Sequence, residues 1–227
     1  MSALVRQSKK ALPGIQPLQG PVVGQNTRDF SGVTLPRELI TPMEAYERLR
    51  ELISQRAIQY GDFTLASGRK SWYYINSKQV LFHSEAVALL GECLYHFSAD
   101  VEFDAIGGME TGAIPMTVAA LVAYHQRGQQ REGFYVRKQA KEHGSRQRVE
   151  GRVGPGQRVV IVDDVLTTGA SARQAIEAVE GLGARVVRVI ALVDREEGAA
   201  ETLKEYEVRP LFTIRQLQVP IAPARHG

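Results

Sequence analysis

Apolar positions along this chain follow two rhythms. From residue 43 to residue 53, Met43, Tyr46, Leu49, Leu52 and Ile53 recur at helical spacing and share one face. Thr41 precedes them as an N-cap, Pro42 takes the first helical position and Glu44 completes a capping box, so a helix starts here. GDFTLASGRKSWYYIN (61–76) is rich in β-formers and interrupted by Ser67-Gly68, which predicts a hairpin or a bent strand pair. A second helix is expected from a Ser84 cap through about Phe97. The pattern then becomes regular. Strands are expected at about 103–107, 133–137, 158–163, 185–193 and near 210–213, and helices through about Tyr124 and over 171–182, the latter closed by Gly183. Apolar strands alternating with helices imply an α/β fold around a mainly parallel sheet.

Residues 1–38 show no such rhythm. They are rich in Gln, Gly, Pro and Ser and read as a flexible tail ahead of a single domain over 39–227. The first acidic residue is Asp29, so a mitochondrial transit peptide is a minor alternative. No secretory apolar region or clear amphipathic basic helix is present, and a cytoplasmic protein is expected. No apolar run approaches the roughly 18 residues of a membrane span. The one cysteine, Cys93, sits among apolar residues at helical spacing and reads as a buried structural thiol in a reducing compartment.

Composition is that of an ordinary soluble domain, 44% hydrophobic and 23% charged in 227 residues. Charge is unevenly spread. Between Arg127 and Arg158 lie nine Lys or Arg against three Glu, a local +6 in a chain of net +3. A solvated loop, an anionic small molecule such as a polyphosphate, and nucleic acid would each account for it. No helix-turn-helix or basic-aromatic RNA signature accompanies the segment, which weighs against nucleic acid.

The most informative stretch is VVIVDDVLTTGAS, residues 159–171. A β-branched run meets Asp163 and Asp164, then a turn of small residues and a helix. In parallel sheets, ligands bind at the carboxyl ends of strands. Helix N-terminal N–H groups there lack intrahelical partners and favour anions, and small side chains let a phosphate reach them. The acidic pair suits ribose hydroxyls, with Mg²⁺ nearby keeping its waters. Phosphate on one side and diol on the other describe a ribose 5-phosphate. Neither a P-loop nor G-x-G-x-x-G occurs, and no His/Cys cluster suggests zinc. An Asp-capped turn is the plain alternative; it leaves the coincidence of apolar run, acidic pair and TTGAS unexplained.

VVIVDDVLTTGAS resembles the PRPP-binding signature of type I phosphoribosyltransferases. FTLASGRKSWYYIN (63–76) resembles the hood segment of orotate phosphoribosyltransferases, VRKQAKEHG (136–144) their mobile catalytic loop, and DREEG (194–198) the segment carrying an orotate-contacting arginine. The resemblance spans about residues 42–215 in the expected order. It implies a five-stranded, mainly parallel core (about 83–215) flanked by helices under a small hood (about 42–82). It implies transfer of phosphoribosyl from PRPP to orotate with Mg²⁺ as cofactor, in pyrimidine biosynthesis. It also implies a homodimer in which the 137–151 loop reaches the neighbouring active site.

By that resemblance PRPP is bound by Asp163, Asp164, Val165, Leu166, Thr167, Thr168, Gly169, Ala170 and Ser171, by Thr111 and Gly112, and by Arg137, Lys138, Lys141 and His143. Lys141, His143 and Asp163 are the implied catalytic residues, the loop cations stabilising the departing diphosphate. Orotate is expected at Thr167, Arg195 and the main chain near Tyr74 and Ile75. Arg195 suits a carboxylate by its bidentate fork, or else pairs with Glu196 or Glu197. Trp72 reads as a packing residue.

Two positions depart from the family pattern: Ala66 and Gly112 stand where many relatives have lysine. The loop GGMETGAIP still offers backbone donors at Gly107, Gly108, Thr111 and Gly112. A purine-type phosphoribosyltransferase and a non-catalytic PRPP- or nucleotide-sensing regulator are the competing readings; a purine would leave the charge of Arg195 unpaired.

Overall fold

The computed structural model describes residues 41–64, 68, 70–139 and 148–219. The tail expected over 1–38 lies outside the described residues.

The first helix, α1 (Pro42–Arg56), begins as its sequence spells. The Thr41 hydroxyl accepts from the Glu44 N–H at 3.2 Å, and the Glu44 carboxylate accepts from the Thr41 N–H at 2.7 Å. Leu49, Leu52 and Ile53 are buried and Tyr46 packs beside them, but Met43 is exposed. Met43 lies in the first turn, ahead of the packed surface; periodicity fixes a direction, not a depth. The Tyr46 hydroxyl donates to the Leu211 carbonyl at 2.8 Å, tying this helix to the last described strand.

β1 (Ile58–Thr64) and β2 (Lys70–Ile75) form the expected hairpin, antiparallel and irregular between Tyr60 and Phe63. A short helix that the pattern did not announce, α2 (Lys78–Leu81), follows. The cap of α3 (Ser84–Ser98) is His83 rather than Ser84. His83 is extended and its Nδ1 accepts from the Ala86 N–H at 3.4 Å, whereas Ser84 is already helical.

The remaining strands are β3 (Ala105–Met109), β4 (Glu132–Val136), β5 (Val149–Gly151), β6 (Arg158–Leu166), β7 (Arg185–Asp194) and β8 (Val208–Thr213). They form one sheet in the order β5-β4-β3-β6-β7-β8. Five run parallel, as expected; the short β5 adds an antiparallel edge from the basic segment. Three helices complete the unit: α4 (Ala113–His125), α5 (Ala170–Glu180) and the short α6 (Ala199–Thr202).

Period two divides β6 between two cores. Val160 and Val162 face α1, α3 and α4, while Val159 and Ile161 face α5. A sheet covered on both faces explains why its strands read as unbroken apolar runs. Cys93 is buried on the α3 side, and burial pushes its thiol up to about 12, as befits a structural residue.

Candidate active site

The chain runs from β3 to β4 on one side of the sheet and then places β6 on the other side of β3. Strand order therefore reverses between β3 and β6. Loops leaving the carboxyl ends of such neighbours diverge and open a crevice. The two loops here are 110–112, leading into α4, and 167–169, leading into α5.

A cleft of about 650 Å³ opens there. It is lined by Asp163, Asp164, Val165, Thr167, Thr168, Gly169, Ala170, Ser171 and Arg195, and from the hood side by Thr64, Tyr74, Ile75, Ser77 and Lys78. Most of the residues expected from the 159–171 stretch thus share one wall. Leu166 does not: its side chain is fully buried in the α5-side core, and its carbonyl accepts from the Arg195 N–H at 2.9 Å.

The turn expected to cradle a phosphate leads into α5. Gly169 is left-handed at φ 80° and caps α5. A Cβ there would also crowd Ala199 and Leu203 at 3.3 Å, so glycine serves both conformation and packing. The Arg173 N–H closes the first turn onto the Gly169 carbonyl, and the preceding N–H groups face the cleft end of the helix.

The acidic pair differs from expectation. β6 continues through both aspartates to Leu166, pairing with β7 as far as Asp194. The carboxylates are therefore strand residues on opposite faces of the sheet. Asp163 shares the α5 side, is 5% exposed and accepts from the Asp164 N–H at 2.9 Å. Burial, and then the neighbouring charge of Asp164, push its pKa up to about 8. Asp164 points the other way. Its Oδ2 accepts from the Ser77 hydroxyl at 2.5 Å and from the Lys78 ammonium at 2.9 Å. Burial raises its pKa, but the Ser77 bond and the Lys78 charge outweigh that and hold it below the usual range.

The loop after β3 is smaller than expected. Gly107 and Gly108 lie inside β3, between β4 and β6, so they are sheet residues rather than loop donors. Thr111 and Gly112 remain at the strand's carboxyl end. The reason for glycine at 112 is visible: a Cβ would stand 2.2 Å from the Asp164 Cγ. Lys138 donates its N–H to the Glu110 carboxylate at 2.9 Å, joining this loop to the start of the basic segment. Arg137 follows β4 directly, with its Nε buried and without a hydrogen-bond partner. Neither Arg137 nor Lys138 lines the cleft, and Lys141 and His143 lie outside the described residues. Ala66 does so too.

Arg195 is 5% exposed and already engaged. Its Nε and Nη2 donate to Glu197 at 3.0 and 2.9 Å, its Nη2 also to the Ser71 hydroxyl at 3.1 Å, and its guanidinium lies 4.3 Å from the Tyr73 ring centre. The alternative pairing with Glu197 is thus realised, at the edge of the cleft. Tyr73 is a buried packing residue, Tyr74 is on the cleft wall, and Trp72 stacks on Tyr60.

Sequence reasoning missed Ser77 and Lys78. They follow the hood strand directly, and a serine-lysine pair at a strand end was their only signal.

The family model for the phosphoribosyl transferase domain matches residues 82–218. Over 157 residues the chain is 43% identical to the orotate phosphoribosyltransferase of Streptomyces coelicolor, covering 69% of this chain and 86% of that one. The chain belongs to the orotate phosphoribosyltransferase family. The Bradyrhizobium diazoefficiens enzyme is 45% identical over 159 residues, covering 68% of this chain and 85% of the relative. The crystal structure of Mycobacterium tuberculosis orotate phosphoribosyltransferase in complex with PRPP aligns with a TM-score of 0.65 at 32% identity, over 77% of this chain and 99% of that one. The stretch 159–171, which resembles the PRPP-binding signature of type I phosphoribosyltransferases, supplies one wall of this cleft.

Proposed function

We propose that this chain transfers the phosphoribosyl group of PRPP to orotate, giving orotidine 5′-monophosphate and pyrophosphate. The observation that carries the reading is one cleft at the strand-order reversal, holding a helix-terminal phosphate turn, two aspartates and a buried arginine. The turn at 167–171 receives the 5-phosphate on its backbone N–H groups. The aspartates address the ribose hydroxyls. The C1′–O bond to diphosphate then breaks with its electron pair leaving on oxygen, and a ring nitrogen of orotate bonds to C1′ and gives up its proton to the departing diphosphate or to water. Lys141 and His143 meet the departing diphosphate, as their loop pattern suggests. Arg195 receives the orotate carboxylate in place of part of its bond to Glu197.

Magnesium belongs to this reading as a companion of PRPP. Among the described residues no group of three or more His, Cys, Asp or Glu could hold a metal. In this reading the ion would keep its waters and be held mostly by PRPP oxygens rather than by a protein cage. It would offset charge on the diphosphate. The homodimer, with the 137–151 loop reaching the partner's cleft, and a cytoplasmic location complete the reading. No helix among the described residues is long and apolar enough to cross a membrane.

The test is loss of orotate absorbance with PRPP and Mg²⁺, beside Lys141→Ala. Turnover that collapses in the variant supports both the reaction and the loop. Binding of PRPP without turnover of orotate would overturn the choice of base.

A further inference from the structure

The described lining of the cleft carries two cations, and they are in opposite conditions. Arg195 is buried and bonded to Glu197 and Ser71. Lys78 keeps its side chain 49% exposed, while the Asp164 side chain it touches is 15% exposed. Its ammonium stands 2.9 Å from Asp164 Oδ2 and 3.4 Å from the Ser77 hydroxyl, which itself donates to the same oxygen. Ser77 is 1% exposed, a fixed post rather than a mobile group. Gly112 abuts the same carboxylate from the β3 side and has no room for a side chain. Asp164 is thus held by Ser77 and Lys78 on Oδ2 and crowded by Gly112 from the β3 side.

A polyphosphate entering this cleft meets an ionised aspartate. Repulsion there must be offset, and Lys78 is the exposed cation placed to do it. We propose that Lys78 is a positioning residue for PRPP: with Ser77 it fixes the Asp164 carboxylate for the ribose diol and offsets its charge toward the diphosphate. This rests on the reading of the cleft as a PRPP site. Orotate binds at the Arg195 side, so the effect is selective between the two substrates.

The experiment is calorimetric titration of the full-length protein with PRPP and Mg²⁺, together with KM for each substrate, in wild type, Lys78→Met and Lys78→Arg. Lys78→Met is expected to weaken PRPP binding and raise its KM about tenfold, with the orotate KM within about twofold. Lys78→Arg should recover most of the loss, because it restores the charge but not the compact ammonium. The Met defect should shrink as salt is raised. Unchanged PRPP affinity in Lys78→Met overturns the proposal, as does an equal rise in both KM values with a lowered melting temperature, which would mark a merely structural lysine. Wild type that fails to bind PRPP at all would overturn the functional reading first, and this inference with it.

Discussion

Arg188 and Asp163 are both buried ionisable residues on neighbouring strands, and they live in opposite ways. Arg188, on β7, is 1% exposed and saturated: it donates to Asp100, to Glu207 at 2.9 Å and to the Phe97 carbonyl at 2.7 Å. Its bonds tie the end of α3 to β7 and to the start of β8. Asp163, on β6, is 5% exposed, has a like-charged neighbour, and is pushed up to about 8. A buried charge with every bond filled serves the fold. A buried acid short of counter-charge at the carboxyl end of a strand, in a cleft, is what a site holds ready for a ligand.

The largest effect that would sharpen this contrast is a pH dependence. The unfolded Asp163 titrates near about 4, the folded one near 8. Below both values both states hold the proton and nothing is lost. Between them the unfolded chain releases the proton first, so stability falls as pH rises and levels off above 8. The ceiling from this one group is about 5 kcal/mol. Urea melts of the ligand-free protein across this window should show the decline, and Asp163→Asn should flatten it. Parallel curves for the two proteins would refute the burial account.

Arg188→Ala comes next, with a loss of about 3 kcal/mol in urea unfolding. The Phe97 carbonyl loses its donor and a cavity opens, but Asp100 and Glu207 are half exposed and rehydrate. Turnover per folded molecule should not change. Asp163→Asn reverses that profile: kcat/KM for PRPP falls about 100-fold, near 2.7 kcal/mol, while stability at neutral pH rises, because the proton-linked loss is removed. If Arg188→Ala instead disabled turnover in fully folded protein, the division between fold and site would collapse.

These two residues also mark what could be read in advance. The site's wall was legible because local chemistry makes it: an apolar strand, two carboxylates and a glycine turn are contiguous from Val159 to Ser171. The capping box of α1 was legible for the same reason. What depended on distant pairing was not. Nothing near Arg188 in the chain announces Asp100, and nothing near Lys78 announces Asp164, 86 residues away. Gly107 and Gly108 read as loop from sequence because glycine punctuates turns far more often than buried strands. The continuation of β6 through its aspartates followed from pairing with β7, which no local pattern encodes.

The smallest effect gives the finest test. Arg209 donates to the same Asp100 as Arg188, at 2.9 Å, but its side chain is 41% exposed. Partner and distance class are shared, and depth differs. An exposed pair gains little over its hydrated components and is screened by salt. Arg209→Ala should therefore cost below about 1 kcal/mol, and that cost should vanish in high salt, whereas the Arg188→Ala loss should persist. Removing both should cost less than the sum, because Asp100 has one charge to share. Equal costs for the two arginines would mean that contact with Asp100, and not burial, sets the worth of a charge in this fold, and the contrast drawn with Asp163 would lose its basis.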